Sequence, residues 1–430
     1  MKYIKIIVVC IALLLSLAIR FQQFYNSNPP YHAGQKISLT TTLQQEPDET
    51  YKGQKFSIKT PTNQLISVSA NTYPRYHYGQ VVVVSGRLQA YTFPDGQTIL
   101  TLYRPAITLQ KEANNPVAAA ANAVRAHTRL IYKDTLPPIS ASLLMGMIFG
   151  ANEKFPDSFR QALQTTGVLH VIAASGMNVT FISAALLFTL GLFLKRRPAI
   201  VIGGVSIIFY VFLVGFQPSI LRASIMGLLA FGAALFGRQH IAVVALFVSG
   251  YVLLLWKPNY LFDVGFQLSF MATVGIMFLK PLLDRPLVKL GKIGEFGGET
   301  VTTTLAAQLG TLPILLSVFG QFGLLSILVN ALVLWTIPFI MVIGSIAAII
   351  GLLFPFVGHV FLYPVYPFLL YFETVVSFFG TSGWVIHTSP LPMAMWIGYY
   401  LLLGSVVLLQ KRKLQIKNEP ILQLDSKDRG

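Results

Sequence analysis

Residues 195–223 read KRRPAIVIGGVSIIFYVFLVGFQPSILRA, and the pattern of this stretch decides the fold class. Three basic residues come first, and an uncharged, mainly apolar run follows from Pro198 to Phe216. About 20 such residues cross the hydrocarbon core of a bilayer as an α-helix, and cytoplasmic loops collect Lys and Arg. The stretch therefore predicts a membrane-spanning helix that starts on the cytoplasmic side.

The composition extends this prediction to most of the chain. Of the 430 residues, 54% are hydrophobic and 11% are charged, whereas soluble proteins contain about 25% charged residues. A soluble enzyme and a disordered chain are both excluded. The net charge of +16 identifies no partner, because part of the excess orients membrane helices and the rest could serve a polyanion. The single cysteine, Cys10, excludes an intrachain disulfide.

Ten membrane crossings are predicted, with both termini in the cytoplasm. The first is an N-terminal membrane anchor at residues 1–20, which we favour over a cleaved signal peptide because no small-residue cleavage site follows. The others lie in a polytopic α-helical membrane domain at 136–410, and residues 411–430 form a cytoplasmic tail. The predicted spans of that domain are 176–194, 198–216, 218–236, 240–256, 262–279, 300–319, 322–353 (broken near Pro338), 356–379 and 391–410.

Residues 30–112 differ in character from the rest of the chain. Short runs in which polar and apolar residues alternate are separated by Gly and Pro, which is typical of β-strands and turns. We predict an extracellular, small all-β domain of about five strands, and this size fits an OB-like barrel. Its aromatic and cationic residues suit a platform for single-stranded nucleic acid, although Tyr and Phe are also common in strands. The candidate DNA-binding residues are Tyr73, Arg75, Tyr76, Tyr78, Arg87, Tyr103 and Arg104.

Residues 113–135 are predicted to form an amphipathic connector helix. The segment is rich in alanine, and Arg125, Arg129 and Lys133 share one helical face because they are four residues apart. Two interpretations are open. The helix lies on the membrane surface, or it is a solvated connector between the β domain and the membrane domain.

Ionisable residues inside a predicted span are energetically costly and are therefore candidates for function. Arg222 follows Gln217 and Pro218 at the start of one span, and Asp263 opens another, with Gln267 four residues later on the same face. One hypothesis is that Arg222 and Asp263 pair or face a shared aqueous cavity. The alternative is that both lie at the interface and extend their charged groups towards the headgroups.

His170 and Ser175 raise the question of hydrolytic chemistry. In an intramembrane protease, Ser175 would be the nucleophile and His170 the base. Five residues is poor spacing for contact along one helix, however, and no orienting acid lies nearby. The seven histidines also contain no H-x-H or H-E-x-x-H motif. We therefore expect no catalytic residues, no metal site and no cofactor, and a protein that is not an enzyme.

Polar and glycine-containing motifs recur between about residues 136 and 340. They are TTG at 165–167, HVIAASGMNV at 170–179, GFQPSILRA at 215–223, KPNYLFDVGFQLSF at 257–270 and AQLGTLP at 307–313. In this order they resemble the competence domain of the ComEC family. The preceding β domain also resembles the extracellular OB-type domain of that family.

The resemblance implies a polytopic channel in the cell membrane that passes one strand of transforming DNA into the cytoplasm. A strand that carries a phosphate at every nucleotide needs a wet path with fixed polar groups. The resemblance further implies separate polypeptides as partners: a DNA receptor, a nuclease and a cytoplasmic helicase or translocase. The implied pore positions are His170, Ser175, Gly176, Asn178, Gln217, Pro218, Arg222, Asp263 and Gln267.

Two of the departures of this sequence from the family pattern bear directly on function. The family motif usually has histidine where this chain has Asn178, so a role for a titrating imidazole there is in doubt. Full-length members often end in a metallo-β-lactamase-like domain, whose H-x-H-x-D-H motif is not found here, so we expect a short form.

A transporter or flippase for another anionic or lipid-linked substrate is the alternative function. It would use the same intramembrane Arg222 and Asp263, but it would not need the aromatic residues of the β domain.

Overall fold

A computed structural model describes all of the chain apart from residues 1, 28–30, 44–47, 51–52, 61–63, 75, 77–79, 93–97, 112–115, 151–154, 173–175, 240, 289–297, 324, 382–384, 388–394 and 411–430. The chain forms two compact units. The first contains residues 1–126 and 250–263, and the second contains residues 127–249 and 264–430.

The first unit opens with helix α1, Lys2–Ser27. The helix continues beyond the predicted anchor at residues 1–20, because no proline or glycine follows to end it there. Arg20 Nε donates a hydrogen bond to the carbonyl oxygen of Leu255 across 2.9 Å. Leu255 lies in the last turn of a helix, where carbonyl groups have no partner within the helix. Arg20 therefore satisfies a helix end as well as flanking an apolar segment.

Eight strands form the β domain of the first unit. They pair into a three-stranded sheet of order β1-β5-β8 and a five-stranded sheet of order β2-β3-β4-β7-β6. All neighbouring pairs are antiparallel except β4 with β7. The strands are β1 Lys36–Thr42, β2 Asp48–Thr50, β3 Gly53–Lys59, β4 Leu65–Ala70, β5 Val81–Arg87, β6 Gln89–Thr92, β7 Thr98–Tyr103 and β8 Ala106–Lys111.

The all-β prediction is confirmed, but the strand count was too low, and the described strands do not close into a barrel. Very short strands such as β2 and β6 carry too few residues to show a period of two, so the pattern missed them. Where strands are longer the alternation is clear. In β5, Val82 and Val84 are fully buried, whereas Val81 and Val83 are half-buried.

The second unit is almost entirely helical. Two short strands, β9 Gln321–Gly323 and β10 Val385–His387, pair antiparallel within it. The helices of the rest of the chain, in order, are α2 Pro116–Thr135, α3 Pro138–Phe149, α4 Asp157–Thr165, α5 Leu169–Ile172, α6 Gly176–Phe193, α7 Arg196–Val214, α8 Pro218–Leu235, α9 Ala242–Trp256, α10 Val264–Val288, α11 Gly298–Phe319, α12 Ser326–Val333, α13 Ile337–Leu353, α14 Pro355–Leu362, α15 Tyr366–Gly380 and α16 Met395–Gln410.

Six helical segments in the described chain are long and apolar enough to cross a bilayer, and α14 with α15, bent by 47°, would add a seventh. The prediction of a polytopic membrane protein is confirmed, whereas the predicted number of ten crossings is not reached. Helices α9 and α16 lie within the predicted spans 240–256 and 391–410, but both are shorter than the six segments. The six segments are Ile7–Ser27, Arg196–Val214, Pro218–Leu235, Val264–Asp284, Val301–Val318 and Ser326–Leu353.

Helix α7 shows how one of these segments meets lipid. Its residues Val201, Val205 and Phe209 are each more than half exposed, at 51%, 61% and 58%. Ile207 and Tyr210, on the other side, are buried. An outward apolar stripe of this kind would be unfavourable in water and is matched by hydrocarbon chains.

The predicted break near Pro338 is confirmed. A 3₁₀ turn at Leu334–Thr336 separates α12 from α13, and Pro338 lies in the first turn of α13. Proline has no N–H to donate, so the preceding helical ladder is interrupted at this point.

Helix α3 forms part of the core of the second unit. Leu143, Leu144, Met145 and Met147 are at most 1% exposed. From residues 143–149, which are too short to span a bilayer, the sequence predicts an interfacial or re-entrant piece. They are surrounded by other helices, because the segment is apolar on all sides and can be buried completely.

The connector helix is observed as α2. Within the second unit, Ile131 and Tyr132 of α2 are buried, and the Tyr132 hydroxyl donates to the carbonyl oxygen of Gly344 in α13 across 2.8 Å. Arg129 and Lys133 are exposed. The observed helix thus exposes these two cations and packs part of its apolar face against α13, while its place on the membrane surface or in solvent stays a prediction.

Candidate functional site

A tight turn between α4 and α5 positions His170. Gly167 follows α4 with φ of +71°, a left-handed conformation that glycine adopts without strain. The N–H of Val168 donates back to the carbonyl oxygen of Leu163 across 3.1 Å and closes a Schellman-type turn. His170 Nδ1 then lies 2.9 Å from the carbonyl oxygen of Gly167. Because a carbonyl oxygen only accepts, Nδ1 is the donor and Nε2 is left for another partner.

His170 is exposed at the surface of the structure. The protein atoms around it lower the pKa of its imidazole, whereas the hydrogen bond with Gly167 opposes that shift.

Helices α6 and α8 approach closely at Gly176, the first residue of α6. A Cβ atom added to Gly176 would lie 3.0 Å from Ala223 Cβ and 3.3 Å from Arg222 Nη2. A larger residue would have to displace one of these groups. Gly176 therefore allows the start of α6 to contact the guanidinium of Arg222.

Arg222 is 7% exposed and lies in the second turn of α8. Its Nε donates to Ser269 Oγ across 2.9 Å, and its Nη1 lies 3.2 Å from Met226 Sδ. Both partners are neutral, and no residue in the described chain forms an ion pair with Arg222. Asp263 belongs to the other unit, so the hypothesis that it pairs with Arg222 or shares a cavity with it stays a prediction. Arg222 itself is buried among protein atoms.

Gln217 and Pro218 form the start of α8. Pro218 is at the first helical position, where its missing N–H would be unpaired in any case. Gln217 precedes it, is exposed, and makes no side-chain capping hydrogen bond. The start of α8 is therefore open on the side of the predicted pore residue Gln217.

Asn178 is completely buried in this structure, and its role in a pore stays a prediction. Its Nδ2 donates to the carbonyl oxygen of Met147 across 2.7 Å, and its side chain also contacts the Tyr210 hydroxyl. Tyr210 in turn donates to the carbonyl oxygen of Ile148 across 2.8 Å. Met147 and Ile148 belong to the last turn of α3, whose carbonyl groups have no partner within the helix. Asn178 therefore satisfies a buried helix end.

Asp263 and Gln267 fall in different units of the chain. Asp263 ends the 3₁₀ helix Pro258–Phe262, and its N–H donates to the carbonyl oxygen of Tyr260 across 3.0 Å. Burial, with a contribution from the Asp263 charge, raises the pKa of Tyr260 to about 12. Gln267 lies in the first turn of α10 and is half-buried.

A second polar cluster was only partly visible in the sequence. Gln308 Nε2 donates to Ser326 Oγ across 3.0 Å, and a Cβ atom added to Gly167 would lie 2.9 Å from Ser326 Cβ. Gln308 Oε1 and Asn330 Oδ1 are buried without a hydrogen-bond partner among the described residues. Buried polar atoms of this kind are usually satisfied by water or a ligand. Ser326 was missed, because one serine at the start of an apolar helix carries no distinctive signal.

The candidate residues of the β domain divide into exposed and buried positions. Tyr73 and Tyr103 are 73% and 63% exposed, and Arg104 Cζ lies 5.4 Å from the centroid of the Tyr103 ring. Arg87 is exposed, and its Nε donates to the carbonyl oxygen of Gly34 across 2.8 Å. Both tyrosine side chains are therefore largely accessible at the surface of the β domain.

Tyr76 must be removed from this set. It is 7% exposed and packs edge-on against Phe56, and its N–H donates to Gln54 Oε1 across 2.9 Å. It belongs to the core of the β domain, because a large ring next to two sheets is most stable when it is buried. Arg75, Tyr78 and the pore candidate Ser175 lie outside the described residues.

Two open cavities of about 480 and 400 Å³ lie between the end of α6, the start of α7 and the end of α8. Arg196 lines both, and none of the predicted pore residues does. Among the described residues, no three His, Cys, Asp or Glu side chains gather as a metal site. Of the predicted pore residues, the structure brings Gly176 and Arg222 together, whereas the described contact of the His170 side chain is with Gly167.

Residues 147–413 match the protein family described as Competence protein. This region contains α4 to α16, and with them His170, Gly176 and Arg222. No solved structure gives a significant match to the chain.

Three curated proteins are similar to parts of the chain. ComE operon protein 3 of Bacillus subtilis is 30% identical over 228 residues, which cover 53% of this chain and 28% of that protein. An uncharacterized protein of Aquifex aeolicus is 26% identical over 197 residues, covering 43% of this chain and 47% of its own length. The uncharacterized protein YcaI of Escherichia coli is 25% identical over 218 residues, which cover 49% of this chain and 29% of that protein. The chain thus matches less than half the length of each relative.

Proposed function

This chain belongs to the competence protein family, and we propose that it conducts one strand of DNA across the plasma membrane into the cytoplasm. The family match over residues 147–413, which is more than half of the chain, carries the proposal. The name of the Bacillus subtilis relative, ComE operon protein 3, is consistent with it.

The polar region of the second unit supports passage of an anionic polymer. A single strand carries one negative charge per nucleotide, so its path through a bilayer must supply water and polar or cationic groups. His170 is an exposed polar residue, and Arg222 places a cation inside a membrane segment. Gln308 and Asn330 present polar oxygens without protein partners in the described chain. Groups of this kind would be costly in a bundle that only filled the membrane.

In this proposal the β domain corresponds to the OB-type domain of the family and is located outside the cell. Tyr73 and Tyr103 would stack with bases, while Arg104 and Arg87 would contact phosphates. Stacking tolerates any base sequence, which suits a protein that takes up DNA of unrelated origin.

The proposed localisation is a multi-pass arrangement in the plasma membrane with both termini in the cytoplasm. We propose that this polypeptide performs no catalysis. The sequence contains no P-loop motif, so the energy for strand movement would come from a separate helicase or translocase. A DNA receptor outside the membrane and a separate nuclease complete the proposed set of partners.

Deletion of the gene in a naturally transformable host tests the function. We expect loss of transformation and loss of labelled DNA from the nuclease-protected fraction inside the cell, with both restored by the wild-type gene. Unchanged transformation in the deletion strain would refute the proposal. Normal entry of DNA with impaired export of a lipid or another anion would favour the flippase or transporter alternative.

A further inference from the structure

Arg222 is a buried cation without a counter-charge. More than nine-tenths of its surface is covered, and its two described hydrogen-bonding partners, Ser269 and Met226, carry no charge. Burial of a cation in a low-dielectric environment is strongly unfavourable unless an anion or several hydrogen-bond acceptors compensate it. The folded chain therefore holds a positive group that favours the arrival of an anion.

The N-terminus of α6 lies beside the first two turns of α8. Helix α6 has 18 residues and begins at Gly176, and α8 also has 18 residues and begins at Pro218. The position of a Cβ atom on Gly176 would be 3.3 Å from Arg222 Nη2 and 3.7 Å from the carbonyl oxygen of Ser219. The first turn of a helix presents unpaired N–H groups and a partial positive charge. The start of α6 therefore adds a positive end to the position of the guanidinium.

The neighbouring side chains do not neutralise this charge. Helix α6 contributes Gly176 and Thr180 near the contact, and α10 contributes Ser269 and Thr273. Helix α8 starts without a side-chain cap. Residues 173–175, which precede α6, are Ala-Ala-Ser and carry no charge. A helix N-terminus favours a phosphate or sulfate group, because its N–H groups point at the anion and its dipole is positive there.

We propose that Arg222, Ser269 and the N-terminus of α6 form a binding site for a single phosphate group. The identification of its ligand as a phosphodiester of the passing strand rests on the proposed function, whereas the anion chemistry of the site does not. Nη2 of Arg222 and the first-turn N–H groups would donate to the phosphate oxygens. Gly176 is necessary, because any side chain there would occupy the contact between α6 and the guanidinium.

The test uses the purified full chain in detergent, with Arg222→Met and Arg222→Lys as variants. Arg238→Met is the matched control, because Arg238 is exposed just beyond the other end of the same helix. Inorganic phosphate should raise the thermal unfolding midpoint of the wild type and of Arg238→Met, and it should leave that of Arg222→Met unchanged. Without added anion, Arg222→Met should be at least as stable as the wild type, since an uncompensated buried charge has been removed.

Binding of a fluorescent oligothymidylate then identifies the source of the phosphate. Arg222→Met should weaken oligothymidylate binding about tenfold, and it should reduce the slope of log affinity against log salt concentration by about one. Arg222→Lys should retain most of the affinity and most of the salt dependence. The affinity for an oligonucleotide with uncharged methylphosphonate links should be the same for the wild type and both variants. The absence of any phosphate effect on wild-type stability, or lower stability of Arg222→Met without anion, would overturn the site.

The two proposals can fail separately. If phosphate protects the wild type through Arg222 but the oligothymidylate binds Arg222→Met as well as it binds the wild type, the assignment of the site to a DNA strand is refuted. If deletion of the gene leaves transformation intact while the phosphate effect persists, the proposed function fails and the anion site stands.

Discussion

Asn178 Nδ2 lies 2.7 Å from the carbonyl oxygen of Met147, and this contact joins the first turn of α6 to the last turn of α3. Both groups are buried, and Tyr210 completes the arrangement by donating to the next carbonyl oxygen, that of Ile148. A residue that resembles part of a pore motif in sequence therefore holds two core helices together. Its neighbour Gly176, two residues earlier, faces Arg222 instead.

Asn178→Leu should destabilise the protein by about 1–3 kcal/mol, because the carbonyl oxygen of Met147 would be left buried without its donor. Thermal unfolding in detergent measures the effect. Thr180→Ala on the same helix is the matched control, because Thr180 is exposed and bonds only to the carbonyl oxygen of Gly176 in its own helix. Equal stability of Asn178→Leu and the wild type would contradict the structural role.

Tyr103→Ala should weaken binding of oligothymidylate to the full chain by about 1–3 kcal/mol, because a base–aromatic stacking contact is lost. The unfolding midpoint should not change, since the ring is 63% exposed. Leu109→Ala, at another exposed apolar position of the β domain, should leave binding unchanged. Full affinity of Tyr103→Ala would remove this surface from the proposed DNA path.

Tyr76→Ala should behave in the opposite way. Removal of a buried aromatic ring typically costs about 3–5 kcal/mol, so the β domain should unfold at a lower temperature. Tyr76→Phe keeps the ring against Phe56 and should recover most of the stability. A Tyr76→Ala protein that is fully stable but binds DNA poorly would restore Tyr76 to the binding surface.

Gly310→Ala should destabilise the contact between α10 and α11 by about 1–3 kcal/mol through overpacking. A Cβ atom at Gly310 would lie 3.2 Å from Gly275 Cα and in collision with the carbonyl oxygen of Met271. Gly232→Ala in α8 is the matched control, because nothing lies within 4 Å of the added atom. There the helix preference of alanine should add up to about 1 kcal/mol of stability. If the two variants shift the unfolding midpoint alike, close packing at Gly310 is refuted.

The stability of the protein should fall with decreasing pH through His170. Burial lowers the pKa of this imidazole below its ordinary value of 6.5. Below that value the unfolded chain binds the proton more readily than the folded chain, so stability is present above about pH 6.5 and is lost as the pH falls. The thermal unfolding midpoint of His170→Gln should therefore fall less between pH 7.5 and pH 5 than that of the wild type. An identical loss in both proteins would show that His170 does not contribute.

Features that depend on consecutive residues were predictable. The break before Pro338 follows from the missing N–H of proline, and the amphipathic face of α2 follows from cations spaced four apart. The positions of Tyr76 and Asn178 were not predictable in this way. A tyrosine next to a strand and an asparagine at the start of a helix are compatible with either a surface or a core, and only their neighbours in space decide.

The sequence by itself determined that this is a polytopic membrane protein with an all-β domain, because apolar run length and period-two alternation are local properties of the chain. It also carried the motifs of the competence family. Tertiary structure decided which polar groups meet. Asn178 finds its acceptor 31 residues away and Arg222 its hydroxyl partner 47 residues away. Contacts at such separations depend on how helices pack, and packing depends on side-chain volume at every layer of the core.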